Sequence, residues 1–141
     1  MLPILLSAVI AASAIALAVD GAVLEAQGGR TIGQRAEAAE RLYRLTRGDA
    51  PRHLTDAELD KIAALLGSRD DVVRLWAAST IGNLGPRGKR FTPQLLIALS
   101  QVNCLPVDLS SEPAIRAALE RVRSPPPPRT CQRRQHPLPA Q

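Results

Sequence analysis

Two stretches of the chain repeat the same apolar spacing. Moved by 36 positions, Leu59, Ala63 and Leu66 fall on Leu95, Leu99 and Val102, and Thr55 and Thr92 open the two stretches 37 positions apart. The pair Val73-Arg74 recurs as Ile115-Arg116. A period of this length means units stacked side by side, because a lone helix pair cannot cover its own apolar face. The apolar residues are mostly Ala, Leu, Ile and Val, with only Tyr43, Trp76 and Phe91 as aromatics, a composition that suits close-packed helices better than a sheet. The expected fold is all-α.

Five helices have readable ends. Residues 31–47 place Ile32, Ala36, Ala39, Leu42, Tyr43 and Thr46 on one face, and Gly48 and Pro51 follow. The next opens at Thr55 with Glu58 three positions on, a capping box, and with Leu54 and Leu59 at staple positions. Its apolar face is Leu59, Ile62, Ala63 and Leu66, closed by Gly67. Residues 70–84 carry Asp70 and Asp71 at the positive helix end, where both are expected to act as capping carboxylates. Their buried stripe is Val73, Trp76, Ala77, Thr80, Ile81 and Leu84, and Gly85-Pro86 leads into a basic turn. The fourth helix starts at Thr92 with Pro93 in its first turn and faces Leu95, Leu96, Leu99 and Val102 inward, with Cys104 at its end. The last, residues 111–123, opens with Ser111 and Glu112 and buries Ile115, Ala118, Leu119 and Val122. The prolines from 125 to 128 then forbid continuation and favour an extended chain.

Residues 70–99 resemble one HEAT repeat. The matching positions are Asp71, Val73, Arg74, Ala77, Ala78, Leu84, Gly85, Pro93, Leu95, Leu96 and Leu99, which reproduce an acidic start, Val-Arg, two alanines, Leu-Gly, a proline and a Leu-rich second helix. Residues 36–66 share the period and apolar spacing alone. The resemblance implies a short α-solenoid of about two and a half HEAT-like helix pairs, with the half pair and the Pro-rich tail as its cap. It also implies an interaction scaffold whose second helices bind a protein partner. On that reading Asp56, Asp60, Gln94, Ile97 and Gln101 point outward toward the partner. Trp76, on the inner stripe, is expected in the core.

The first nineteen residues carry no charge, and Ala16-Leu17-Ala18 puts small residues where a signal peptidase reads. Residues 1–18 are therefore expected to be a signal peptide, the alternative being an uncleaved inner-membrane anchor of residues 1–19. Gly21, Gly28 and Gly29 are expected to make residues 19–30 a linker, so that the helical domain spans residues 31–123 and a Pro/Arg-rich tail spans 124–141. The protein is expected to be exported, periplasmic or secreted. In such compartments Cys104 and Cys131 are expected to form a disulfide, a buried Cys104 with a separate Cys131 thiol being the alternative.

The net charge of +5 resides in Arg121, Arg123, Arg129, Arg133 and Arg134, while residues 1–120 hold 13 basic and 13 acidic groups. This distribution reads as a solvated basic tail, and nucleic acid is not expected as a partner. His53 and His136 have no partner at ligand spacing, the cysteines are not in a CxxC pair, and no GxSxG occurs. Gly88-Lys89 fails as a phosphate loop because Asn83 and Arg90 stand where that motif requires glycine and Ser or Thr. No catalytic residue, metal or cofactor is expected. The leading expectation is a non-catalytic protein-protein interaction module of the bacterial cell envelope. The alternatives are a peripheral protein whose tail, residues 129–134, binds an anionic surface, and an inhibitor or immunity-type protein.

Overall fold

The computed structural model describes residues 3–48, 50–102 and 110–129, with side chains described from residue 14 onward except at 50 and 51. Among these the chain is all-α: α1 (Pro3–Gly28), α2 (Ile32–Leu45), α3 (Asp56–Ala64), α4 (Asp71–Asn83), α5 (Thr92–Gln101) and α6 (Glu112–Arg121). Short 3-10 turns at Ala50–His53, Leu65–Gly67 and Gly85–Phe91 join them. Cys104, Cys131 and His136 lie outside the described residues, as does most of the tail.

Local chemistry sets the helix starts. Thr55 Oγ1 accepts from the Glu58 amide at 3.3 Å while Glu58 Oε2 accepts from the Thr55 amide at 2.6 Å. Thr31 and Gln34 close a second reciprocal box at the start of α2, at 3.1 and 3.2 Å. Each such cap is worth about 1 kcal/mol, because it satisfies amides that the first turn leaves unpaired.

Packing sets the arrangement. α4 lies between α2 and α6, α1 runs along α2 and reaches α3, and α5 touches α6 and the turn that ends α3. One core results, in which Leu42, Leu59, Ile62, Leu66, Val73, Ile81, Leu95, Ile115 and Leu119 are all buried. Trp76 packs against this core only partly buried, its ring 5.1 Å from that of Tyr43. Polar contacts run the same way across neighbours. Arg35 of α2 pairs with Asp70, and Ser111 Oγ, at the head of α6, donates to Asp71 Oδ1 at 2.7 Å.

Residues 19–30 are not a linker: α1 runs on to Gly28, and Val19, Ala22, Val23 and Ala26 belong to the core. A glycine inside a helix costs about 1 kcal/mol, and burying these side chains outweighs that penalty at Gly21. Asp70 makes no side-chain cap bond; both aspartates instead bond to other side chains, Asp70 to Arg35 and Asp71 to Arg74 and Ser111. At α6 it is Ser110 Oγ that accepts from the Glu112 amide, at 3.1 Å, while the Ser111 hydroxyl donates to Asp71. Ile32 is exposed, whereas Ala39, Leu42 and Thr46 of the expected face are buried and Ala38 joins them. Leu96 is 40% exposed, its expected inward place being taken by Ala98.

The basic turn after α4 is the 3-10 segment Gly85–Phe91, pressed against its neighbours. A Cβ on Gly88 would stand 2.6 Å from the Ile81 carbonyl oxygen and 2.7 Å from Val122 Cγ1. Backbone cannot yield as a flexible side chain can, so Gly88→Ala is expected to destabilise by about 1–3 kcal/mol, read as a lower urea midpoint at unchanged slope. The prolines that follow α6 are in neither helix nor strand, and they fold back. Arg116 donates to the Pro127 carbonyl at 2.7 Å, and Arg129 pairs with Glu112 at 3.2 Å.

Candidate interaction surface

α5 packs against the Leu65–Gly67 turn that ends α3, and the Gly85–Phe91 turn that leads into α5 is bonded to α3 through Arg90. Where α3 passes into its closing turn, the two elements leave a cleft of about 250 Å³ lined by Ala63, Ala64, Leu66, Gly67, Gln94, Ile97, Ala98 and Gln101. Four of its eight lining residues, Ala63, Ala64, Gly67 and Ala98, are small. Its rim is formed by Gln94 and Gln101, both exposed, and Ile97 stands 57% exposed beside it. The structure thus brings together three of the five residues expected to meet a partner.

The other two are placed apart and have a different occupation. Asp56 and Asp60 project from the opening turns of α3 and grip Arg90: Arg90 Nη1 is 3.0 Å from Asp56 Oδ1, and its Nη2 bonds Asp60. Arg87 Nη2 lies 3.8 Å from Asp56 and donates to the Leu54 carbonyl at 2.9 Å. The Asp60 hydrogen bond, aided by the charge of Asp56, raises the Arg90 guanidinium above its ordinary pKa. Asp56 and Asp60 thereby hold the Gly85–Phe91 turn onto α3. The Arg90 guanidinium also lies 4.7 Å from the centre of the Phe91 ring, and Phe91 itself is buried.

This clasp is solvent-exposed, and exposed ion pairs add little stability and are screened by salt. Arg90→Ala is expected to lower the melting midpoint slightly at low salt and not at all in high salt. A large drop that salt leaves unchanged would contradict this.

Sequence reasoning missed Arg87, Arg90 and the floor of the cleft. The small residues Ala63, Ala64, Gly67 and Ala98 were the available signal, since small side chains on neighbouring helices leave either close contact or a gap. Among the described residues no three His, Cys, Asp or Glu side chains gather where they could hold a metal ion, and His53 is exposed in its turn. Among the residues whose side chains are described, no helix is long and apolar enough to cross a membrane. No family model matches the chain, and no curated protein or solved structure is significantly similar to it.

Proposed function

We propose that the domain is a non-catalytic protein-protein interaction module of the bacterial cell envelope, a short HEAT-like α-solenoid that takes an apolar side chain of a protein partner into the α3–α5 cleft. The observation that carries this reading is the cleft itself: a small apolar floor, an exposed Ile97 at its side, and two amide side chains at its rim. Partner sites commonly join an apolar centre to polar groups that fix orientation, and about 250 Å³ admits one or two side chains rather than a small-molecule cofactor. The contacts from Arg35 to Asp70 and from Asp71 to Ser111 tie successive helices of one layer together, as stacking requires.

The test is crosslinking from position 94 or 101 in envelope extract, compared between the parent chain and Ile97→Asp. A saturable adduct is expected with the parent. Its yield should fall about tenfold or more with Ile97→Asp, because a charge placed in an apolar contact loses its hydration without gaining a partner. A chain ending at residue 129, which keeps the bonds from Arg116 to Pro127 and from Glu112 to Arg129, should crosslink as the parent does. Loss with that shortened chain and survival with Ile97→Asp would favour binding through the basic tail.

A further inference from the structure

α1 is part of the core and longer than α2, along which it runs. Ile15 packs on the core and Val19 is fully buried, so the helix joins the domain before the Ala18–Val19 bond. Cleavage there would remove Ile15 and leave an ammonium group on Val19, beside its buried side chain and at the positive end of a helix, where cations are disfavoured. Its 26 residues make α1 about 39 Å long, against about 21 Å for the 14 residues of α2. Roughly 18 Å, at the Pro3 end, therefore projects past its neighbour. The sequence of that part holds no charged residue.

Three arginines stand near its point of exit, Arg41 paired with Glu25 and Arg44 with Glu40, while Asp20 on α1 itself pairs with Lys61. Arg41, Arg44 and Leu45 lie against Ala18 and Ala22, so the end of α2 that carries exposed Arg44 and Arg47 is the end from which α1 projects. Uncharged helix ahead and arginines at its base match the two layers of a membrane, hydrocarbon within and anionic headgroups at the surface.

We propose that α1 is retained in the finished protein and that its leading end enters a lipid bilayer, seating the domain on the membrane with Arg44 and Arg47 at headgroup level. This stands independently of the α3–α5 cleft, which plays no part in its test. The experiment is flotation of the full chain with phosphatidylcholine vesicles and, separately, with phosphatidylglycerol vesicles, in low and high salt, together with the intact mass of the protein recovered from cells. The chain is expected to float with both vesicles, to stay bound in high salt, and to have a mass that includes residues 1–18. A chain lacking residues 2–13 should keep its helicity and melting midpoint and fail to float. If that chain does not fold, full-length Leu6→Glu with Ile10→Glu is expected to bind at least about tenfold less while melting as the parent does. A recovered mass beginning at Val19 would overturn the proposal. So would absence of flotation, flotation of the variants equal to the parent, or binding to anionic vesicles alone that salt abolishes.

Discussion

A chain that begins at Thr31 is expected not to fold. It lacks Val19, Ala22, Val23 and Ala26, each 6% exposed or less, and uncovers the faces of α2 and α3 against which α1 packs. It also loses the pairs from Glu25 to Arg41 and from Asp20 to Lys61. Burial of a valine contributes roughly 1.5–3 kcal/mol, so two valines and two alanines amount to several kcal/mol. A domain of this size has only about 5–15 kcal/mol in all. Circular dichroism on heating is the measurement: the shortened chain should show reduced helicity and no cooperative transition. A cooperative melt near that of the parent would mean that α1 is an appendage.

Leu59→Ala is the point substitution expected to do most harm. Leu59 is fully buried on α3, in the same core as Leu95 and Leu119, and its first helical turn is already fixed by the Thr55–Glu58 cap. Truncation leaves a cavity that rigid neighbouring helices close only in part. The expected loss is about 2–5 kcal/mol, or roughly 10 °C or more in melting midpoint. Leu96→Ala, on the exposed side of α5, serves as the comparison and should change stability far less, by about 0.5 kcal/mol. Equal effects at the two positions would contradict the assignment of inner and outer faces.

The parts of this fold that were legible in the sequence are those settled within a few residues. Thr55 and Glu58 announce a capping box, and the structure contains both of its bonds. On α6 the expected inward set, Ile115, Ala118, Leu119 and Val122, is buried throughout, because the three- and four-residue spacing leaves a short helix one apolar face. α1 was not legible. Its glycines argue locally against helix, and only the packing of Val19 through Ala26 on distant α2 and α3 overrides them. Asp70 and Asp71 do stand at the N-cap and in the first turn of α4, but their bonds to Arg35 and Ser111 come from other elements that no local pattern states.

The candidate site divides likewise. Gln94, Ile97 and Gln101 could be read as outward from the period of α5 alone. The role of Asp56 and Asp60 depends on Arg90, some 30 residues away, returning across α3 through a turn whose course no local pattern states.

Amide hydrogen exchange under native conditions tests most directly whether α1 is built into the stack. The amides of Val23 and Ala26, in the middle of the α1 contact, should open only with the whole domain, at the free energy measured for Ile81 in α4 and Leu119 in α6. Exchange at Val23 and Ala26 many times faster than at Ile81 and Leu119 would contradict that, and would leave a five-helix domain with a loosely attached leading helix.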